Sequence, residues 1–359
     1  MNPRAKSRIP VVLVAAAVVV AVTAISPARA SSGSHRPTVT SVTYDSATLT
    51  EYNQKWSNIY GPLDGAAESV ANGAFTVSDV PFKPGTDFSV FDHLKYMAVS
   101  NQAFAAPANG AVTFSVDIAA STPGAVAGHV VHGQYGPPGS YDPANTTAQP
   151  YSAHTLEGQQ AGVVLNMIDF CSGQLFDWFV SSHSAFALIE RLPTSITANT
   201  SNPNCPGASL VDLSKAYTQI VRVVPIAAGV KHRVTITYGQ GTLGNAVVYT
   251  IDGHIQAAVG NVGVPLDKQG VPYTGIYPSL GAGERLAGKI SSFSIGHGLF
   301  SLLDAFPFQY GCSPPSASGP GACDPSSAQY SVSIPASQRS FGQGAVGTFS
   351  GFRVVTVTR

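Results

Sequence analysis

The sequence has little charge and no basic cluster beyond its first residues. Only 11% of its 359 residues are charged, and acidic and basic residues are equal at 19 each. Phosphate backbones are bound by clustered Lys and Arg, so nucleic acid is not an expected partner. Glycine and proline are abundant instead, at 36 and 26 residues, which favours strands and turns over helices. The apolar fraction of 44% argues against disorder.

The N-terminus has the pattern of a secretory leader. Arg4, Lys6 and Arg8 precede an apolar run at 11–25, and Ala28-Arg29-Ala30 has the small residues of a cleavage site. The alternative is an uncleaved membrane anchor, but the run is shorter than the roughly 18–20 residues that span a bilayer. We expect cleavage after Ala30 and a secreted, extracellular protein with no stable membrane insertion. The leader carries four of the 19 basic residues, which leaves 15 against 19 acidic ones.

The chain has only four cysteines, an even number that suits two disulfides in an exported protein. Cys312 and Cys323 bracket a Pro/Gly/Ser-rich loop, so we predict a bridge between them, which leaves Cys171 for Cys205. A metal site is the competing use of cysteine. The chain has no C-x-x-C spacing and its histidines are scattered, so we predict no metal site.

Short apolar-rich stretches between turn residues predict an all-β fold. In 231–259, Val234, Ile236 and Tyr238 alternate with threonines, and Asp252-Gly253 separates two strands, as in a tight hairpin turn. Further strands are predicted at 112–118, 162–170, 175–181, 185–191, 217–224, 289–296 and 351–358. We expect one antiparallel β-sandwich domain at 44–359, preceded by a polar segment at 31–43.

Two stretches interrupt this rhythm of strands. Residues 132–154 and the segment from Pro307 to Ser327 are rich in Pro, Gly, Ser and Tyr, and both are predicted as long loops. Such loops either carry binding residues or tolerate insertion. The stretch GLFSLLDAFPF is compatible with one short helix.

Several stretches resemble known sandwich proteins. VVYTIDGHIQAAVGNVGVP, preceded by HRVTITY, resembles the core hairpin of concanavalin A-like lectins and glucanases. The stretches EGQQAGVVLNMIDFCSGQLFDWFVSSHSAFALIERLP, VPYTGIYPSLGAGERLAGKISSFSIGHGLFSLLDAFPFQ and SIPASQRSFGQGAVGTFSGFRVVTVT are similar to a family of secreted actinobacterial proteins of unknown function. The resemblance covers about 44–358. It implies a jelly-roll sandwich and export, and it implies no mechanism.

The catalytic motifs of two enzyme groups with this kind of fold are missing. Laminarinase-type hydrolases carry acidic residues two apart on one strand, E-x-D-x-E, and no two acidic residues here have that spacing. His132, Gln134 and Tyr135 in GHVVHGQYG resemble the Gln and His of alginate lyases. Their order differs, and no Arg-x-x-x-Arg or Tyr-x-Lys strand accompanies them.

Asp169 and Asp177 flank a short turn in LNMIDFCSGQLFDWFV and are the first candidates for a carboxylate pair. An even loop with Phe170 opposite Leu175 places them on opposite faces, where they cannot act together. A three-residue loop would instead place them directly opposite each other. The position of Gly173 favours the even loop. Glu190 is the third candidate, and an ion pair with Arg191 is its ordinary alternative.

This composition suits sugar binding better than catalysis, because sugar binding requires no catalytic pair of side chains. Aromatic faces stack on sugar rings while polar groups hold the hydroxyls. The candidates are His132, Gln134, Tyr135, Trp178, Tyr273 and Tyr277, and core packing is the alternative for Trp178. We predict a protein that binds polysaccharide or cell-wall glycan, with a polysaccharide-cleaving enzyme or a structural or protein-interaction module as alternatives. Calcium orders loops in lectin-like sandwiches, but no D-x-D run supports it here, and we predict no other cofactor.

Overall fold

The structure, a computed structural model, describes residues 36–60, 66–82, 93–136, 149–192, 211, 215–271, 282–305, 331–333 and 344–359. The predicted leader lies outside the described residues. So do Tyr273, Tyr277 and three of the cysteines, Cys205, Cys312 and Cys323. None of the helices in the described part is long and apolar enough to cross a bilayer.

The described residues are mainly strands. The strands are β1 (Thr38–Thr43), β2 (Trp56–Tyr60), β3 (Ala67–Ala71), β4 (Ala74–Ser78), β5 (Leu94–Ser100), β6 (Phe104–Ala105), β7 (Gly110–Ser121), β8 (His129–Gly136), β9 (Gln149–Thr155), β10 (Gly162–Asp169), β11 (Gln174–Val180), β12 (Ser184–Arg191), β13 (Tyr217–Pro225), β14 (His232–Gly241), β15 (Gly244–Ile251), β16 (His254–Gly260), β17 (Ser292–Phe300), β18 (Ser331–Ser333) and β19 (Val346–Thr358). The helices are α1 (Leu49–Lys55), α2 (Glu157–Gln160) and two 3₁₀ turns, Asp267–Gln269 and Leu302–Ala305.

The strands form two large sheets. Sheet A has the order β16-β15-β14-β7-β19-β4-β3, with β1 also paired to β19. Sheet B has the order β13-β12-β11-β10-β17-β5-β2, with β6 also paired to β17. A third, small sheet has the order β18-β8-β9. The strand pairs are antiparallel, which confirms the predicted all-β antiparallel sandwich.

The main core lies between sheets A and B. Val234, Ile236 and Tyr238 of β14 are buried there, as their alternation predicts. Residues of sheet B such as Val163 and Trp178 belong to the same cluster. Alternate side chains of a strand point to one face, so this core takes every second residue of the central strands.

Sheet B is also apolar on the side away from sheet A, which we call the outer face of sheet B. Val164, Ile168, Phe179 and Leu188 lie on it and form a second buried cluster. Val131 of β8 belongs to this cluster, so β8 packs over the outer face. Every residue of β10 and β11 is therefore buried, although neighbouring side chains point in opposite directions.

The Asp252-Gly253 turn forms as predicted. Both residues have positive φ, 51° and 79°, and they join β15 to β16. Positive φ at both central positions is the geometry of the type I′ hairpin turn. Glycine adopts it without steric cost, and Asp tolerates it better than most residues do.

Several predicted boundaries were wrong. The segment predicted to be polar at 31–43 contains a strand, because β1 pairs along β19 from Thr38 opposite Thr358. The predicted loop at 132–154 has strands at both of its ends, β8 and β9, which pair with each other. The strand predicted at 289–296 is β17, which starts at Ser292 and continues to Phe300.

Helix α1 was not predicted, although its sequence carries a recognisable N-terminus. Thr48 Oγ1 accepts the N–H of Glu51 at 3.1 Å, and Glu51 in turn accepts the N–H of Ala47 at 2.7 Å. This is close to a capping box, in which a Thr and a Glu three residues later satisfy free backbone N–H groups.

Candidate functional site

The β10–β11 hairpin places Asp169 and Asp177 on opposite faces of sheet B. Asp169 is opposite Gln174, and Asp177 is opposite Asn166. The connection is an even loop of four residues, 170–173, so the opposite-face prediction holds and the three-residue loop was wrong. The predicted register differs by two residues, because Ile168, rather than Phe170, is opposite Leu175.

Asp169 is occupied by the turn itself. Its carboxylate accepts the N–H of Cys171 at 2.9 Å and the hydroxyl of Ser172 at 2.5 Å. Burial raises the pKa of Asp169, while these hydrogen bonds and the nearby Arg191 oppose the rise. The side chain is 3% exposed and closes a tight loop, which is a structural role.

Asp177 and Glu190 share the outer face of sheet B. Asp177 is opposite Leu188, and Glu190, two residues further on β12, is opposite Leu175. The two acids are therefore diagonal neighbours on adjacent strands, a relation that places side chains about 7–8 Å apart, within reach of long ones. The structure therefore brings Asp177 close to Glu190, and not to Asp169.

Two neutral side chains complete this group, which we call the polar cluster: Asn166, Asp177, Glu190 and Thr218. Asn166 Nδ2 donates to Asp177 Oδ1 at 2.6 Å, and Thr218 Oγ1 donates to Glu190 Oε2 at 3.1 Å. Asn166 Oδ1 is buried without a hydrogen-bond donor among the described residues. Asn166 and Thr218 were not among the predicted site residues. Asn166 could have been recognised as the one amide among the apolar residues of the GVVLNMID stretch, because a buried amide needs hydrogen-bond partners.

The predicted ion pair between Glu190 and Arg191 is absent from the described structure. Neighbouring residues of a strand point to opposite faces, so Arg191 lies on the other side of sheet B. There its Nη2 donates to Glu284 at 3.0 Å and its Nε donates to the carbonyl of Ser172 at 2.9 Å. The described residues therefore offer Glu190 no basic partner.

Burial dominates the electrostatics of the polar cluster. It raises the pKa of Glu190 to about 7, against the hydrogen bond from Thr218. Burial also raises the pKa of Asp177, and the charge of Glu190 adds to that rise. Asp177 is only 1% exposed, whereas Glu190 is half-buried. Glu190 is thus the acid that solvent or a ligand reaches, and near neutral pH its carboxyl group can both donate and accept hydrogen bonds.

Trp178 is not available to a sugar. It is fully buried between the sheets, its Nε1 donates to the carbonyl of Thr235 at 3.1 Å, and its ring meets Tyr249 edge to face. Its candidacy as a stacking platform was wrong, because its face of β11 is the core face. Apart from half-buried Phe170, the aromatic side chains that the structure describes are buried.

Three of the other predicted ligand-binding residues, His132, Gln134 and Tyr135, lie on β8. His132 is exposed on β8, and Gln134, two residues on, shares its face by strand periodicity. Only the backbone of Gln134 and Tyr135 is described, paired with β9 and β18. These residues are on a strand that packs over the outer face of sheet B.

A second buried acid lies outside this cluster. Glu157 of α2 accepts hydrogen bonds from the backbone N–H of His183 at 3.0 Å and from Ser181 Oγ at 3.1 Å, and it pairs with His183 Nδ1 at 2.9 Å. These contacts fix the turn between β11 and β12. No local sequence pattern indicates these contacts, because residues 157 and 183 meet only through the fold.

The described residues contain no group of three or more His, Cys, Asp and Glu side chains arranged to hold a metal ion. Cys171 carries no free thiol. The pairing of the four cysteines stays a prediction, since the other three lie outside the described residues.

The solved structures that are similar to the chain include the following three. An endo-1,3-beta-glucanase from Streptomyces sioyaensis has a TM-score of 0.38 and 10% identity over 92% of this chain and 100% of the other. A legume lectin-like domain from Entamoeba histolytica has a TM-score of 0.30 and 8% identity over 86% and 96%. A sialidase has a TM-score of 0.36 and 8% identity over 88% of this chain, which spans only 18% of that protein.

No curated protein matches the chain. One family model does, over residues 140–358, and it is described as a family of unknown function, DUF6081. This range includes β10, β11 and β12 and the polar cluster that they carry. Since the match covers more than half of the chain, the protein belongs to this family of unknown function, DUF6081.

Proposed function

We propose that this protein binds carbohydrate on the outer face of sheet B, with Glu190 as the polar group that contacts the sugar. The observation that carries the proposal is a half-buried carboxyl group with no basic partner among the described residues, set in an apolar face. Burying an acid without a partner costs free energy, so the stability of the fold does not explain why Glu190 is there. Carboxyl and amide groups on an apolar surface are what a sugar site needs to orient hydroxyls.

The neighbours of Glu190 support the same proposal. Leu175, Leu188 and Ile220 are buried beside Glu190 and give its carboxyl group apolar surroundings, in which a hydrogen bond to a sugar hydroxyl is stronger than in water. Asn166 Oδ1, buried and without a donor, needs a hydroxyl or water hydrogen. His132, in contrast, points away from this face, because Val131 beside it packs on the apolar cluster and neighbouring strand residues alternate.

A pull-down on insoluble polysaccharides tests the binding proposal. The purified protein is incubated with cellulose, chitin, xylan and insoluble β-1,3-glucan, and bound protein is measured. We expect retention on at least one of these, and at least about tenfold weaker retention of Glu190→Ala, since hot-spot truncations cost about 2 kcal/mol or more. Asp79→Asn is the matched control, because it removes one exposed acid on sheet A and tolerates the positive φ of 59°.

Polysaccharide cleavage is the second candidate function, and the Asp177–Glu190 pair favours it. Inverting glycoside hydrolases use two carboxyl groups about 6.5–9.5 Å apart, one as acid and one as base. Oligosaccharides released into the pull-down supernatant by the wild type, and not by Glu190→Gln or Asp177→Asn, would establish this activity. Retention without products supports binding alone. If the protein is not retained and releases no products, a structural or protein-interaction role becomes the favoured function.

We further propose that the protein is exported and acts outside the cell. The support is the basic, apolar and small-residue pattern at its N-terminus. N-terminal sequencing of protein from the culture medium tests this. A mature chain that begins at Ser31 is expected, and protein retained in the cell with Met1 intact contradicts export.

A further inference from the structure

We propose that Glu190 binds its sugar as a neutral carboxyl group, which donates its O–H to a ligand oxygen, and that ionisation of Glu190 releases the ligand. This inference rests on the proposed carbohydrate function of the outer face of sheet B. Glu190 would then select uncharged sugars, and its protonation state would control their binding.

The geometry leaves one side of the Glu190 carboxyl group for a ligand. Thr218 Oγ1 donates to Oε2, and the described residues provide Oε1 with no hydrogen-bond donor. The side chain is half-buried among Leu175, Leu188 and Ile220. A sugar placed there removes the remaining water from Glu190, and desolvation penalises the carboxylate far more than the neutral acid.

The charges around Glu190 act in the same direction. Asp177 on β11 is an acid, Asn166 on β10 and Thr218 on β13 are neutral, and Arg191 points to the opposite face of the sheet. The elements that pack over this face add the titratable groups His129 on β8 and Glu157 on α2, while His132 points away from it. Lys95 is buried on β5 of the same sheet, and β11, β10 and β17 separate β5 from β12. Glu157 is bound to the turn at 181–184. The described part of the cluster therefore holds no cation that would stabilise a Glu190 carboxylate against the approach of a ligand.

Proton linkage then fixes the direction of the pH effect. Burial raises the pKa of Glu190 to about 7, so the neutral form is present in mildly acidic solution. Above that pH the free protein loses the proton to solvent, and the ligand must bind against a carboxylate or recover the proton. When only the neutral form binds, apparent affinity falls about tenfold for each pH unit above the pKa.

The test is a set of binding isotherms on the polysaccharide that retains the wild type best. They are measured at about pH 6 and about pH 8 for the wild type, Glu190→Gln and the control Asp79→Asn. We expect the affinity of the wild type and of Asp79→Asn to fall about tenfold at the higher pH. Glu190→Gln keeps an N–H donor that does not titrate, so its affinity stays constant.

The outcomes separate this inference from the proposed function. Wild-type binding that is independent of pH overturns the inference and leaves carbohydrate binding intact. The same holds if Glu190→Gln shows the pH dependence of the wild type. No retention on any polysaccharide at either pH overturns both. If Glu190→Gln does not fold, the two wild-type affinities still decide, because the inference requires the wild type to bind about tenfold more weakly at the higher pH.

Discussion

Asp177 and Glu190 lie diagonally across β11 and β12 on the outer face of sheet B, and the described residues provide neither with a basic partner. Each is held by a neutral side chain, Asn166 for Asp177 and Thr218 for Glu190. Two adjacent acids in an apolar face are more stable when they carry protons. This relationship gives the protein its unusual expected response to pH.

The first prediction concerns stability against pH. The folded state raises the pKa of Glu190 from 4.5 to about 7, so it holds the proton more tightly than the unfolded chain does. The resulting stabilisation is complete below about pH 4.5 and is lost as pH rises through about 7. We expect the unfolding free energy of the wild type to fall by about 1–3 kcal/mol more than that of Glu190→Gln over this window.

Urea unfolding between these pH values measures the difference. Asp79→Asn should follow the wild type, because its exposed carboxyl group lies at the end of β4, in the other sheet. Equal pH slopes for the wild type and Glu190→Gln would show that Glu190 titrates as an ordinary surface acid.

The second prediction concerns the buried guanidinium of Arg191. Its side chain is fully buried, and Glu284 supplies its ion-pair partner at 3.0 Å. Glu284→Gln removes the ion-pair partner of the buried cation, although Asp169 stays nearby, and we expect this to cost about 2–4 kcal/mol of unfolding free energy. Lys289→Ala removes a half-exposed partner of the same Glu284 and should cost less than about 1 kcal/mol. Coinciding urea midpoints for the two variants would contradict this account.

The third prediction concerns the turn between β11 and β12. Glu157→Ala removes the acceptor of the His183 N–H and of the Ser181 hydroxyl, so we expect a loss of about 2–3 kcal/mol and faster hydrogen exchange at 181–184. His183→Ala, in contrast, deletes a side chain that is 71% exposed and should change stability by less than about 1 kcal/mol. If both variants lost the same stability, the imidazole, rather than the backbone contact, would fix the turn.

The fourth prediction compares two glycines with positive φ. A Cβ at Gly263 (φ 98°) would lie 1.9 Å from the carbonyl oxygen of Glu284, whereas a Cβ at Gly270 (φ 82°) would have no atom within 4 Å. Gly270→Ala should therefore cost only the backbone strain, about 1–2 kcal/mol. Gly263→Ala must also displace the segment at 284, and it should lower the thermal midpoint by several degrees more. Similar thermal midpoints for Gly263→Ala and Gly270→Ala would mean that the segment at 284 moves aside at little cost in free energy.

The sequence by itself determined the fold class and much of the strand pattern. Alternation at Val234, Ile236 and Tyr238 fixed which face of β14 is buried, and Asp252-Gly253 fixed a hairpin. Both are local effects, since strand periodicity and positive φ depend on neighbours in the chain. The even loop after Asp169 also followed from local turn chemistry, although its register did not.

Only the tertiary structure decided which residues meet. Glu190 was expected beside Arg191, but alternation sends Arg191 to Glu284, 93 positions away, and leaves Glu190 with Asp177. Trp178 was a candidate for a sugar platform until the stacking of sheet A on sheet B buried it. The sequence names the acids and the aromatics, but strand order and sheet packing decide which of them face a ligand and which face the core. Those long-range contacts leave no local pattern in the sequence.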